Sequence, residues 1–313
     1  MGIPGWLHLD HHGMILDTFV QLMASGLALG AAYALVALGF VVIYRASSVF
    51  NFAHGELLTI GAFSMVGLCS IGLPWPIALV GAMTVTGLVG AAVERVALRP
   101  LVGRPVFVTI IVTIFVGVIL RTLAMIVWGT DPVGMPTPWE PTADVNVGGA
   151  SVLISSLGSV AAGAIAIGAF FALQRYTQLG IAMRATSSDQ EVALALGIPV
   201  GRVLLSTWFI AGATACLAGV FLGMFPRSVD VHLGFVALRA FPAVIVGGLD
   251  SVGGTVIAGL GLGVLEVLTQ GYLSQHLGEF GHNVHTVLPY AVMIGFLIVR
   301  PYGLFGTPDV ERV

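Results

Sequence analysis

The sequence predicts an all-α polytopic membrane protein with about eight to nine transmembrane helices and one short extra helix on the cytoplasmic side. Three observations carry that prediction. Hydrophobic residues make up 57% of the chain and charged residues 9%, with a mean hydropathy of +1.02, whereas a soluble domain carries about 25% charged residues. The apolar residues gather into runs of roughly 17–25, the length that crosses a hydrocarbon core of about 30 Å. One long interval between two such runs, QRYTQLGIAMRATSSDQEVALALGIPVGR from Gln174 to Arg202, is neither apolar nor loop-like.

The membrane domain is expected over 20–305, after an outer N-terminal tail at 1–19. That tail has no Arg or Lys and so lacks the positive region of a signal peptide. Its His8, Asp10, His11 and His12 fix no metal geometry. The first span, about 20–44, contains Gly26 and Gly30, a G-x-x-x-G pair that lets a neighbouring helix approach closely. Asn51, His54 and Glu56 stand at the start of the second span, about 56–71. Polar groups there are either solvated anchors or residues of a transport pathway.

The turn GLPWP at 72–76 leads into a third span, about 77–93, and a positive patch with Arg95, Arg99 and Arg104 follows it. The fourth span, about 106–128, is apolar except for Arg121, placed about 24 Å from its start. From there the side chain can reach the far headgroups by snorkelling, so Arg121 is not read as a substrate ligand. Residues 129–149 hold four prolines, three acidic residues and no basic one, and read as a surface loop long enough to be functional. Spans at about 150–173 and 203–225 flank the Gln174–Arg202 interval.

A short apolar segment at 234–249 is interrupted by Arg239 and Pro242 and reads as a short or broken crossing, a type of segment that lines pathways in transporters. The span at about 252–273 carries Glu266 and the pair Gly259 and Gly263; the last lies near 286–299, before a tail at 306–313. With alternating spans, Arg45, the 95–104 patch, Arg175, Arg184, Arg202, Arg300 and Arg312 fall on one side and the acidic 129–149 loop on the other. The positive-inside rule makes the first side, with the C-terminus, cytoplasmic and puts the N-terminus outside.

Composition also excludes several functions. The net charge is −3, and no basic block could track a phosphate backbone, so nucleic acid is not an expected partner. All twelve basic residues are arginine. Without lysine there is no Walker A loop and no Schiff-base chemistry. Cys69 and Cys216 lie in apolar runs, where they act as small hydrophobes, and no disulfide is expected. His276, His282 and His285 do not have metal-ligand spacing. No catalytic residue, metal or cofactor is assigned to this chain.

Within the polar interval, Ser187 and Ser188 precede Gln190 and Glu191 by three residues, the spacing of a helix-start capping box. A helix is expected from near Asp189 to Leu196, because Gly197 can adopt the left-handed cap and Pro199 cannot continue the ladder. About 12 Å of helix is too short to stand alone in water, so packing must hold it. Val192, Ala195 and Leu196 share one face for a partner, with Gln190 and Glu191 beside it.

Glu191, Ala193 and Gly197 match the E-A-A-x-x-x-G signature of ABC importer permeases, departing from it only at the second position, where Val192 replaces Ala. Asn51, Phe52, Ala53, Gly55 and Glu56 match N-F-A-x-G-E, with His54 in the variable place. Together with FPAVIVGGLDSVGGTVIAGLGLGVLE, these stretches resemble the LivH-type permeases of branched-chain amino acid ABC importers. The resemblance implies a bacterial inner-membrane subunit with a second homologous permease as heterodimer partner. Two cytoplasmic ABC ATPases that hold ATP and Mg, and a periplasmic or extracellular solute-binding protein delivering leucine, isoleucine or valine, complete the implied assembly.

In that frame Arg184, Ser188, Asp189, Glu191, Ala193 and Gly197 form a coupling helix and its flank. Asn51, His54, Glu56 and Glu266 are candidates for the substrate pathway. Relatives of this type also move other amino acids, amides or urea. Two other classes remain open: an ion-coupled secondary transporter relaying protons through His54, Glu56 and Glu266, and a membrane-embedded enzyme, for which no nucleophile elbow or metal motif is present.

Overall fold

The centre of the bundle is one long helix, α1 (Trp6–Ser47). From Leu29 to Ile43 every residue of it is buried, as befits a helix with no polar face that is surrounded by other helices. The computed structural model describes residues 6–101, 103–224, 226–273 and 283–306. Around α1 stand α2 (His54–Ser70), α3 (Trp75–Val93), α4 (Val106–Trp128), α5 (Ile154–Tyr176), α6 (Gln178–Ser188), α7 (Gln190–Ala195), α8 (Val200–Leu222), α9 (Val236–Gly247), α10 (Val252–Leu268) and α11 (Val284–Val299). Among the described residues, six helices are long and apolar enough to cross a membrane, and Leu233–Gly247 and Val284–Val299 are shorter apolar helices.

Close packing of the central helices depends on glycine. A Cβ on Gly259 would lie 2.8 Å from Ala34 N, and one on Gly263 2.2 Å from Gly30 N. Gly26 meets the Val264 backbone at 2.8 Å, so α1 and α10 run antiparallel with their backbones in contact. The expected glycine pairs in these two spans thus pack on each other, the small-residue contact that binds helices where the hydrophobic effect between them is weak. α8 is held in the same way: a Cβ on Gly219 would meet Leu58 O at 2.3 Å and one on Gly212 would meet Thr86 O at 2.5 Å.

Among the described residues, several of the arginines expected on one side, Arg45, Arg99 and Arg184 among them, gather at the α6–α7 end of the bundle. There Arg99 donates to Gly201 O at 2.7 Å and Arg45 to Ser187 Oγ at 3.5 Å. The acidic loop lies at the opposite end, where Val133 pairs with Val229. It contains a feature the sequence reading missed, a hairpin of β1 (Asp144–Val147) and β2 (Ala150–Leu153). Gly148 and Gly149 both have positive φ, 65° and 105°, the requirement of a two-residue hairpin turn. β2 packs on α1.

Two further expectations are revised. The first helix begins at Trp6, within the segment expected as a tail; the side chains of His8, Asp10, His11 and His12 lie outside the described residues, as do His276, His282 and residues 307–313. Residues 178–188 form a helix of their own, so Ser187 and Ser188 are its last turn and cannot cap the next one. The cap is Asp189, whose Oδ1 accepts from Glu191 N at 2.8 Å and Val192 N at 3.0 Å.

The α1–α10 contact yields a measurable consequence. Gly263→Val forces the two backbones apart and is expected to cost at least about 1–3 kcal/mol of stability. Gly261→Ala, which meets nothing within 4 Å, should leave the unfolding midpoint in detergent unchanged or raised.

Candidate functional site

Two regions concentrate polar chemistry that packing alone does not require. The first is the α6–α7 end. Thr177 caps α6 by accepting from Gly180 N at 3.1 Å, and Asp189 caps α7. Gly197, at φ +80°, ends α7 in the left-handed conformation. Six residues are too few to hold a helix alone, and Ala193 anchors this one among Ala46, Val200 and Leu204. Gln190 Nε2 donates to Ala46 O at 2.7 Å, which fastens α7 to the end of α1. The opposite side is bare: Val192 is 54%, Leu194 58% and Leu196 75% exposed. Glu191 and Ser188 are exposed beside them, and the exposed Arg184 donates to Gln174 O.

The second region lies midway along the bundle. α1 stops at Ser48, which has φ 55°, a conformation costly for a residue other than glycine. Residues 48–53 then turn back among the helices. Phe52 N donates to Thr113 Oγ1 at 3.3 Å, and Asn51 Oδ1 accepts from Ala53 N at 3.0 Å, shaping the turn that starts α2. Glu56 in the first turn of α2 therefore lies beside Gly117, about 17 Å along α4 from its first residue. From the other direction, the turn Leu233–Phe235 leads into α9 at the same level. A Cβ on Gly55 would lie 2.4 Å from Gly234 O.

Two helices thus begin inside the bundle and meet there. Arg121 also converges on this point. Its Nε donates to Glu56 Oε1 at 3.1 Å and its Nη2 contacts the same oxygen, while the guanidinium lies 4.2 Å over the Phe235 ring. The expectation that Arg121 reaches the headgroups is overturned; it turns back to a buried carboxylate. The signal available in the sequence was the rule that an ionisable group within a span finds a partner, with Glu56 as the acidic residue opposite. The pair lines a cavity of about 260 Å³.

A second cavity of about 780 Å³ opens near the α7 end, lined by Tyr44, Arg45, Ser187, Phe241, Asp250 and Tyr302 among others. Aromatic rings separate the two. Phe241 lies 6.1 Å from Phe40 and 6.4 Å from Phe52, which line the first cavity, and 5.6 Å from Phe50, which lines the second.

The four pathway candidates are thus dispersed. Glu56 faces the mid-bundle cavity, and Asn51 shapes the adjacent turn. His54 is wholly buried against Gly39 and Phe40. Glu266, on α10, is not among the residues lining that cavity; it accepts from Tyr33 Oη at 2.8 Å and pairs with Arg239 at 3.7 Å. Among the described residues, no group of three His, Cys, Asp or Glu could hold a metal ion.

Helices that begin inside an apolar bundle, with a charged pair beside a cavity at that break, are the architecture of a polytopic membrane transport protein. Comparison with known proteins agrees. Residues 22–297 match the family described as branched-chain amino acid transport system, permease component. The chain is 33% identical to the high-affinity branched-chain amino acid transport system permease protein LivH of Escherichia coli K12, over 94% of this chain and 98% of that one. It is 30% identical to BraD of Pseudomonas aeruginosa over the same shares. It is also 22% identical to the galactofuranose transporter permease YtfT of Escherichia coli K12, over 86% of this chain and 76% of that one. This chain belongs to the family of branched-chain amino acid transport permeases.

The Glu56–Arg121 pair can be tested as a structural unit. Arg121→Met strands a buried carboxylate and is expected to cost about 1–3 kcal/mol. The double variant with Glu56→Gln should recover most of that loss in thermal unfolding, whereas additive losses would mean that the two side chains do not interact.

Proposed function

We propose that this permease is the membrane subunit of an ATP-driven importer that takes leucine, isoleucine or valine from a solute-binding protein outside a bacterial inner membrane. A second, related permease and two cytoplasmic ABC ATPases complete the importer. The observation that carries the assignment of partners is α7: a capped helix too short to stand alone, with three large apolar side chains exposed at the arginine-rich end. The ATPases dock there. With no lysine in the chain, ATP and Mg sit on those partners.

The arginine asymmetry supports a cytoplasmic α7 end and C-terminus, with the N-terminus and the hairpin outside. In this arrangement α1–α5 and α8–α11 make about nine passages, of which α2 and α9 are completed by the irregular segments before them. Such backbone is tolerated at membrane depth only against protein or water.

The mid-bundle cavity is the substrate route, and the aromatic cluster around Phe241 separates it from the cytoplasmic cavity. Arg121 is partly exposed on a side of α4 where Ile114 and Val118 are also exposed. A guanidinium at this depth is costly against lipid, which supports placing the second permease on that face.

Gentle purification from native membranes, followed by mass spectrometry of the subunits and of the small molecule on the accompanying binding protein, tests the assembly. Two ATPases, a second permease and a bound branched-chain amino acid are expected; a homo-oligomer without ATPase would overturn the proposal. Leu194→Asp should abolish ATPase co-purification without lowering the unfolding temperature of the permease, since the side chain is exposed. Gly197→Val strains a residue at φ +80° by about 1 kcal/mol or more. It should reduce uptake per ATP hydrolysed, and unchanged uptake would refute the role of this cap in coupling.

A further inference from the structure

The mid-bundle cavity has a more specific chemistry than a route for small solutes requires. Its walls include Phe40, Phe52, Ile114, Val118, Phe235 and Leu238, all apolar, and into them project one carboxylate and one guanidinium. The pairing of these two is lopsided. An arginine facing a carboxylate commonly forms a fork that uses both oxygens, but here Nε and Nη2 both converge on Glu56 Oε1. Oε2 is buried and accepts no hydrogen bond. A buried carboxylate oxygen without a donor is costly, and Glu56 is one of the residues that line the cavity.

We propose that Glu56 and Arg121 read the two charges of an α-amino acid: the ligand ammonium donates to Glu56 Oε2, and the ligand carboxylate takes the guanidinium. The apolar walls receive an uncharged branched or aromatic side chain. The exchange is balanced in charge, since two new ion pairs form where one is loosened, so neither protein charge is left alone in the membrane. The guanidinium carbon sits 4.2 Å over the Phe235 ring, and both residues line the cavity. The permease thus carries its own recognition of the zwitterion, beyond the selection made by a binding protein. This inference rests on the importer reading above.

The test uses the full complex in proteoliposomes and the wild-type permease complex in detergent, so that the fold need not be disturbed. Competence is established first by ATP-driven, binding-protein-dependent uptake of leucine; its absence with every solute tried would sink the importer reading and this inference with it. In a competent complex without binding protein, leucine at millimolar concentration is expected to raise the thermal unfolding midpoint. Isoamylamine, which lacks the carboxylate, and 4-methylpentanoate, which lacks the ammonium, should each bind at least about tenfold more weakly, the usual loss when a charged hydrogen-bond partner is removed.

Analogues binding as well as leucine, or no leucine-dependent shift in a complex that transports it, would overturn the site while leaving the importer reading standing. The neutral double variant Glu56→Gln/Arg121→Met keeps the contact between α2 and α4 without the charges. It should assemble normally and lose at least about tenfold in leucine uptake per ATP hydrolysed; an unchanged ratio would show that the pair is structural only.

Discussion

The contact between Gly55 and the Gly234 carbonyl is the constraint on which the rest of the arrangement depends. Two helices that start inside a membrane bundle expose N–H groups with no partners in their own first turns, and hydrocarbon offers none. Bringing α2 and α9 start to start places both openings against protein, and only glycine lets the backbones come close enough: a Cβ on Gly234 would lie 2.9 Å from Gly55 O and 3.1 Å from Glu56 Oε1. Once the two starts meet, Glu56 has to face the cavity, and Arg121 on the neighbouring α4 can reach it. The charge pair is thus a consequence of where the helices break.

The sequence displays the helices well because hydrocarbon imposes a simple rule on length and polarity. The fourth span was legible to the residue, Val106–Trp128, since Pro105 and Gly129 bound an apolar run. The grouping of Arg45, Arg99 and Arg184 at one end of the bundle was legible for the same reason. What composition could not show is depth. The polar groups at the entry to the second span read equally as solvated anchors or as pathway residues, yet residues 48–53 lie among the helices, because the turn at Ser48 sends the chain back inward. Depth depends on tertiary contacts, and so Arg121 was assigned to the headgroups when its partner was fifteen or more ångströms inside, roughly half a bilayer.

Local capping chemistry was misread in an instructive way. Ser187, Ser188 and Asp189 are all good caps by residue type, and the spacing to Gln190 and Glu191 favoured the serines. The structure selects Asp189 because Gln178–Ser188 is itself helical, so only the residue at the break has the extended φ of −160° that a cap needs. Ala193, by contrast, was named only through a family signature; its physical role, a small side chain filling the gap among Ala46, Val200 and Leu204, explains why alanine suits that place. The hairpin at Gly148–Gly149 was the plainest miss, since a Gly-Gly pair between short β-branched stretches is a local signal.

The fastening of α7 determines what an ATPase motion would do in the proposed importer. α7 is tied to the last turn of α1 through Gln190 and Ala46, and α6 to the same turn through Ser187 and Arg45. The chain leaves that turn through residues 48–53 and reaches Glu56 within a few residues. A displacement of α7 is therefore delivered to two places: the α1–α10 pair, which moves as a unit because its backbones touch, and the start of α2, which carries one half of the charged pair. Phe50 and Phe52 lie on the connecting segment and pack on Phe241, so the segment that transmits the motion also forms part of the aromatic partition between the two cavities. Rotating it would disturb the partition and the Glu56–Arg121 contact together, which is the coupling of access to binding that alternating transport requires.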